Sequence, residues 1–412
     1  MSTLPRPVRA LRNALLADGS RVDVEIDGPL VTGVRLAAGD PIAADDTDLT
    51  GYVLLPAPAE PHAHLDKARS WDLIAPPQGD LGRAIESWLA YADAMTEDSI
   101  ADRARTQALA MLRNGTTAIR SHVDLLPGDD PLRGVRALLR VRAELRGLLD
   151  LELVALSGDW MPSAVIEEAL ELGVDLVGGA PHLAQDPVAE VRRLLAIAAE
   201  RGVGVDLHTD EALGGDPTIH EFARIVREWT APATAGHCVR FGTLEPDELA
   251  VVVEELVAAD IGVVTLPITN LYLQGWDHPV STPRGLTPLR ALLDAGVRVG
   301  AGADNVRDPF NPVGRSDALE TASLLVTAGH LALDEAYAAV SDGSRSVMSL
   351  PAAGPVPGQA AELLAVRADS LAEVVAEASP ERIVIHRGRI VARSTLHTEL
   401  APLAGVPEGV PA

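Results

Sequence analysis

The middle of this 412-residue chain alternates short apolar runs with longer segments whose apolar residues recur at helical spacing, as at residues 188–201 and 247–260. The apolar runs are short enough to be buried strands. We predict eight of them, at residues 52–55, 117–120, 151–156, 175–178, 204–207, 233–236, 262–266 and 298–301. Eight strand–helix units predict an α/β fold, the (β/α)8 or TIM barrel, in which functional residues gather at the C-terminal ends of the strands.

Both ends of the chain differ from the middle. Residues 21–26 alternate apolar and polar side chains, and residues 363–366 and 382–391 have the composition of strands, the last with a tight turn at Gly388. We therefore predict a small β-sandwich domain built from both termini, residues 1–55 plus 350–412. The catalytic barrel would then occupy residues 56–349.

Charge and composition restrict the partners of the chain. The formal net charge of -25 argues against nucleic acid and anionic membranes, because a polyanion would be repelled. Cys238 is the sole cysteine, so no intrachain disulfide is expected. No run approaches the roughly 20 apolar residues of a membrane span, and the first residues lack the apolar segment of a signal peptide. We expect a soluble, cytoplasmic protein that binds a small molecule, with self-association into a homo-oligomer left open.

A histidine pair and an isolated lysine lie close together near residue 62. His62 and His64 are spaced i, i+2, so along an extended chain their side chains point the same way and can reach one metal ion. Lys67 follows three residues later and is the only lysine, since Lys and Arg together number 34 and the other 33 are arginine. An ammonium is compact and can lose its proton, whereas a guanidinium does neither.

Further polar residues follow other predicted strands. A lone histidine at a strand end is more often a packing residue than a ligand. Several histidines on one face of the barrel reverse that expectation, because crowding polar side chains together is unfavourable unless they bind a cation or take part in catalysis. The converging set is His62, His64, His122, Asp124, His208, Asp210, Glu211, His237, Asp304 and Asn305.

These motifs resemble the amidohydrolase superfamily, most closely its cytosine deaminase-like branch. The HxHLD motif matches His62 to Asp66, and the HxDE motif matches His208 to Glu211. A lone histidine after strand six matches His237. An aspartate after strand eight matches Asp304, followed at 308–314 by the D-P-x-x-P-x-G stretch. The segments at 273–275 and 179–182 also resemble this branch.

The resemblance implies a ligand set of His62, His64, His208 and Asp304 for one divalent metal ion, zinc or iron. Many relatives hold a second metal through a carboxylated lysine after strand four. Residues 178–182 offer no lysine, which favours a mononuclear site.

The same resemblance implies the chemistry. Metal-bound hydroxide would attack the amine-bearing carbon of a small nitrogen heterocycle, a cytosine-like pyrimidine or a triazine, and release ammonia or an amine. Glu211 would carry a proton from the water to the ring and the leaving group. Asp304 would accept the other proton, and His237 would orient the hydroxide.

Two departures from the cytosine deaminase pattern concern the substrate. Gly158 stands where the branch carries a glutamine that recognises the pyrimidine edge, and Asn305 replaces a carboxylate. An amide both donates and accepts, so recognition of the ring edge must change. The HLDK stretch at residues 64–67, together with the Asp304-Asn305 pair, also resembles members of the N-isopropylammelide isopropylaminohydrolase type. The predicted substrate contacts are Lys67, Asp159, Trp160, Gln274 and Asn305.

Alternatives remain open. Lys67 could instead form a salt bridge with Asp66 or Glu60, and Trp160, Trp276 and Gln274 could be core or rim residues. A hydrolase of a cyclic amide or N-substituted amine would use the same metal site. A non-catalytic scaffold barrel is the alternative from another class, and retention of Glu211 and His237 argues against it.

Overall fold

The computed structural model describes residues 4–39 and 41–401. Within them, strands from both ends of the chain form one nine-stranded sheet. The order is β1-β17-β16-β15-β6-β2-β3-β4, with β5 pairing β2. Its strands are β1 (Arg6–Pro7), β2 (Ala10–Leu15), β3 (Arg21–Asp27), β4 (Leu30–Leu36), β5 (Thr47–Asp48), β6 (Tyr52–Pro56), β15 (Leu363–Arg367), β16 (Arg382–His386) and β17 (Arg389–Arg393).

The predicted fold class is confirmed, with a small β domain assembled from both termini beside a parallel barrel. Alternating residues of β3 and β16, such as Val24 and Ile385, are buried in the core of the small domain. Gly388 has a φ of +69° in the turn between β16 and β17, a backbone conformation that glycine adopts most readily. The boundaries predicted at residues 55/56 and 349/350 stay predictions, and their residues 1–3, 40 and 402–412 lie outside the described ones.

Eight parallel strands form the barrel, each hydrogen-bonded to its sequence neighbour. The edges of the first and last strands meet through a parallel bridge between Ala63 and Asp304 and through the Ala303 N–H, which donates to Glu60 Oε2 at 2.9 Å. The strands are β7 (Ala59–Ala63), β8 (Ala118–Asp124), β9 (Asp150–Ser157), β10 (Leu176–Gly179), β11 (Gly204–Thr209), β12 (Ala233–His237), β13 (Gly262–Thr265) and β14 (Val299–Ala301).

The first barrel strand corrects the prediction from sequence. The apolar run at 52–55 lies in β6, which pairs antiparallel with β15 in the small domain. The barrel strand is the next segment, β7, whose sequence Ala-Glu-Pro-His-Ala contains no apolar run. It is fully buried because Glu60 and His62 contribute polar atoms to the closing seam and to the site. Hydrophobicity alone could not identify such a strand.

Helices surround the barrel. Several begin at a side-chain N-cap; Thr96 and Asp186, for example, accept from backbone N–H groups three residues on. The helices are α1 (Trp71–Ile74), α2 (Leu81–Tyr91), α3 (Glu97–Arg113), α4 (Arg133–Glu144), α5 (Ser163–Leu172), α6 (Pro187–Arg201), α7 (Ile219–Val226), α8 (Pro246–Ala258), α9 (Pro267–Leu273), α10 (Leu289–Asp294), α11 (Ala318–Thr327), α12 (Leu333–Ala338), α13 (Ser344–Val347) and α14 (Leu371–Glu377).

Helices α1 and α2 are additional to the simple strand–helix alternation, since both precede α3 in the connection between β7 and β8. This connection contributes one wall of the cavity at the C-terminal ends of the strands. Across the described ranges, none of the helices has the length and apolar character needed to cross a membrane.

Candidate active site

Four side chains converge on a single point: two from barrel strands β7 and β11, and two from the residues that follow β7 and β14. His62 Nε2 lies 3.3 Å from His208 Nε2, which lies 3.2 Å from His64 Nε2. Asp304 Oδ1 is 3.2 Å from His64 Nε2 and 3.9 Å from His62 Nε2. These are the four residues predicted as metal ligands, and the fold brings all of them together although they are spread over 243 positions of the chain.

The spacing of these atoms fits a metal ion. Bonds of roughly 2.0–2.1 Å in a tetrahedral site place neighbouring ligand atoms about 3.3 Å apart. Asp304 is buried and neither of its carboxylate oxygens has a hydrogen-bond partner among the described residues. Burial also raises the pKa of Asp304 to about 7. A cation at the centre would satisfy the orphaned oxygens and the facing imidazole nitrogens together.

Two further residues lie beneath this cluster. His122 forms a compact triad with His62 and His208, and His62 forms another with His237 and Asp304. Asp206 Oδ1 is 3.7 Å from His62 Nδ1 and 3.4 Å from His122 Nε2. A carboxylate behind a ligating histidine typically sets its tautomer and orientation.

Asp206 was missed in the sequence analysis. Its own carboxylate is held by Arg120, whose Nη1 donates to Oδ2 at 2.8 Å in the fully buried interior. The available signal was spacing, because Asp206 precedes His208 by two residues and Arg120 precedes His122 by two. Residues i and i+2 of one strand share a face.

Glu211 and His237 face each other across the mouth of the cluster. Glu211 Oε1 lies 3.5 Å from His237 Nδ1, and that nitrogen is 2.9 Å from Asn270 Oδ1 of α9. On the other side, Glu211 Oε2 is 3.8 Å from His182 Nε2. Asn270 is a second residue that sequence analysis missed, and no motif pointed to it. Two of the three predicted catalytic residues, Glu211 and His237, are therefore neighbours with defined partners.

The backbone at the site is held in conformations that ordinary residues adopt rarely. Asp210, His237 and Asp304 have φ values of +51°, +67° and +58°. Such strain persists where the surroundings impose it, and it clusters at functional sites. For Asp210 the surroundings are visible, since its Oδ1 accepts from the Thr218 N–H at 2.7 Å and its Oδ2 from the Ile219 N–H at 3.2 Å.

Lys67 points into the same cavity. Its Nζ lies 3.0 Å from Asp124 Oδ1 and 3.4 Å from His64 Nδ1, and 4.8 Å from the ring centre of Phe310. Asp124 Oδ2 in turn accepts from the indole N–H of Trp88 at 2.6 Å. The salt bridge considered from sequence is thus made with Asp124, not with Asp66 or Glu60. Burial lowers the pKa of Lys67, but the carboxylates of Asp124 and Asp66 outweigh it and the net pKa is raised.

The cavity above the cluster has a volume of about 390 Å³. Four of the five predicted substrate contacts line it: Lys67, Asp159, Trp160 and Asn305. Asn305 donates to Asp308 Oδ2 at 2.8 Å, and Asp159 accepts from the Gln185 N–H at 2.9 Å. Gln274 lines a neighbouring groove with Trp276, and its side chain donates to the backbone oxygen of Glu211 at 2.8 Å.

The fold and this cluster together define a metal-binding hydrolase of the barrel type. Residues 82–392 match the family model described as Amidohydrolase family, and the chain belongs to that family. The resemblance inferred from the motifs is confirmed.

Three relatives show where the chain lies within the family. A pterin deaminase of Rhizobium rhizogenes is 29% identical over 390 residues, which cover 91% of this chain and 88% of that protein. The crystal structure of 5-methylcytosine deaminase from Klebsiella pneumoniae liganded with phosphonocytosine has a TM-score of 0.86 at 25% identity, covering 95% of this chain and all of that one. The crystal structure of N-isopropylammelide isopropylaminohydrolase from Burkholderia multivorans has a TM-score of 0.80 at 28% identity, and the match covers 93% of this chain and 98% of that one.

Proposed function

We propose that this protein is a metal-dependent hydrolytic deaminase of a small nitrogen heterocycle. The observation that carries the proposal is the position of Glu211, which lines a 390 Å³ cavity directly above four converging ligand atoms. His62, His64, His208 and Asp304 would hold one divalent ion, zinc or iron. The known relatives named as deaminases of pterin and of 5-methylcytosine support this reaction class.

The reaction consumes one water and releases one ammonia or amine. A divalent ion at this site supplies Lewis acidity that lowers the pKa of water towards about 7. Glu211 would take one proton from the attacking water and deliver it to a ring nitrogen, and it would then pass the second water proton, received from Asp304, to the leaving amine. Asp304 accepts the second proton, and His237, fixed by Asn270, orients the attacking oxygen. A carbon–oxygen bond forms and the exocyclic carbon–nitrogen bond breaks.

Support for one ion rather than two comes from the segment after the fourth barrel strand. A bridging carboxylated lysine would have to lie there, and residues 178–182 contain none. Lys67 is engaged with Asp124. His122 is close enough to be an additional ligand of the same ion, and this does not require a second metal.

Recognition of the ring is proposed to depend on polar groups beside the metal. Lys67 would donate to a ring carbonyl or nitrogen, and Asn305 and Asp159 would pair with the ring edge. Trp160 would form a wall of the substrate pocket, and Gln274 would act through the Glu211 backbone, to which it donates a hydrogen bond. Small heterocycles, not nucleic acids, fit the net charge of -25, and the single buried cysteine supports a cytoplasmic location.

A second candidate is hydrolysis of an N-substituted amine or a cyclic amide with the same machinery. The N-isopropylammelide relative favours it, since it is 28% identical over nearly all of the chain. For an N-substituted amine the leaving group would be an alkylamine in place of ammonia, whereas a cyclic amide would be opened with its amine still attached.

The test is release of ammonia or amine from a panel of aminated and N-alkylaminated pyrimidines, triazines and pteridines. Metal-loaded protein should turn over at least one ring, and Glu211→Gln should lose that turnover. Glu248→Gln, an exposed position on α8, is the matched control and should behave as wild type. Wild-type turnover by Glu211→Gln would contradict the proposed chemistry.

A further inference from the structure

The cavity has two chemically different halves. Beside the ligand cluster it is polar and charged, with Lys67, Glu211 and Asn305 on its wall. The rest of the lining is mostly apolar, apart from Asp159, and comes from α2 and from the loops after β9 and β10. This far half includes Leu81, Ile85, Leu89, Trp160 and Leu183.

The rim of the far half exposes large apolar side chains. Trp160 is 52% exposed, Leu183 50% and Leu89 40%, and all three line the same cavity. Single exposed apolar residues are ordinary on protein surfaces, but a group around one concave site indicates a surface that a ligand covers. Covering such a group removes apolar area from water and is therefore favourable.

Trp160 owes its place to Gly158. A Cβ at position 158 would overlap the indole Nε1 of Trp160, so the absence of a side chain there is what admits the ring to the cavity wall. Because residue 158 is glycine, the cavity wall after β9 presents the aromatic face of Trp160 where a larger residue could have placed a hydrogen-bonding side chain. Aromatic faces bind flat or apolar groups with little loss of conformational freedom.

The size of the cavity also indicates a ligand larger than one ring. Pockets of roughly 300–1,000 Å³ hold drug-sized ligands, and at about 390 Å³ this one exceeds what a single six-membered ring fills. A ring placed against the metal ligands and Lys67 would leave the far half empty.

We infer that the substrate of this protein carries an apolar extension beyond the reacting ring, an alkyl group or a fused aromatic ring, which packs against Trp160, Leu89 and Leu183. The inference rests on the proposed function, because the far half is continuous with the catalytic half and its occupant is part of the same molecule. Trp160 is then a specificity-determining residue.

The experiment compares matched substrate pairs. An aminopyrimidine is paired with its benzo-fused analogue, and an amino-s-triazine with an analogue bearing a propyl group on a non-reacting nitrogen. Wild type should favour the extended member of at least one pair by about tenfold or more in kcat/KM, the effect that even one methylene in an apolar pocket produces. Trp160→Ala should reduce that preference to less than about threefold, because the kcat/KM of the extended ring falls much further than that of the plain ring.

Leu172→Ala is the control. Leu172 is 44% exposed on α5 and is not among the residues that line the cavity, so its loss should leave the preference intact. Equal activity of wild type on both members of both pairs would overturn the inference. So would a Trp160→Ala variant that loses activity on plain and extended rings alike.

Calorimetry with the deaminated ring products distinguishes a failure of the inferred apolar subsite from a failure of the proposed function. Metal-loaded wild type should bind the extended product at least about tenfold more tightly than the plain one, and Trp160→Ala should not. If no ring is turned over but this difference appears, the deaminase assignment fails and the apolar subsite stands. If binding shows no difference, the subsite fails whatever the turnover.

Discussion

Replacing Lys67 by methionine should destabilise the protein as well as disable it. Lys67 Nζ and Asp124 Oδ1 are 3.0 Å apart, with side chains only 5% and 15% exposed. At an effective dielectric constant of about 20, their attraction is about 5.5 kcal/mol, and removal of one partner of a buried pair typically costs roughly 3–5 kcal/mol. Asp124 would keep its Trp88 donor and some solvent contact. We therefore expect a loss of about 3 kcal/mol in the free energy of unfolding.

The assay is denaturant unfolding of metal-loaded protein combined with steady-state kinetics. In an Asp124→Asn background, Lys67→Met should cost clearly less than it does in wild type, because the carboxylate paired with Lys67 is already gone and only the attraction of Asp66 and Asp308 remains. Arg290→Met is the matched control: Arg290 pairs with Glu335 at 2.7 Å but is half exposed, and solvent screens such surface pairs, so its loss should change the free energy of unfolding far less. A Lys67→Met variant within about 0.5 kcal/mol of wild type would refute the buried-pair argument.

Kinetics addresses the other proposed role of Lys67. If its ammonium touches the substrate, Lys67→Met and Lys67→Arg should each lower kcat/KM by about tenfold or more, because arginine is larger and planar. Full activity in both variants would remove Lys67 from the substrate contacts without affecting the metal site.

Three other substitutions have definite expected outcomes. Glu211→Gln should retain metal and lose roughly 10²-fold or more in kcat, and loss of metal instead would make Glu211 a ligand. Asp206→Asn should weaken metal affinity about 10–100-fold because it removes the carboxylate behind His62, and unchanged affinity in a metal-competition titration would contradict that role. Asp317→Ala should destabilise by about 3 kcal/mol, since Asp317 caps α11 and pairs with buried Arg382 of the small domain at 2.8 Å; a change below about 1 kcal/mol would contradict it.

Much of the architecture was predictable because most barrel strands are apolar runs separated by amphipathic helices. Strand β7 was not predictable, because it contains Glu60 and His62 where a buried strand usually has apolar side chains. The apolar run before it, β6, was predicted as a strand but assigned to the wrong sheet. Its pairing with β15 depends on residues about 310 positions away, which no local pattern reports.

The convergence of the four proposed ligands was predictable from motif spacing, whereas the surroundings of each of these residues were not. Asp206 could have been identified because it lies two residues before His208 on the same strand face. Asn270 and the leucines of α2 lie at the site because of how their helices pack, which the sequence pattern does not show. The partner of Lys67 is likewise Asp124 from the next strand, not an acidic neighbour in the sequence. Such pairings are set by how strands and helices pack.

The most direct test of the account is titration of metal-free protein with zinc or ferrous iron while ammonia or amine release is recorded. Activity should rise in proportion to added metal and reach its plateau at about one ion per chain. His208→Ala, which removes one of the converging nitrogens, should bind little metal and show no such rise. A plateau at two ions, or full turnover by thoroughly metal-free protein, would contradict the account.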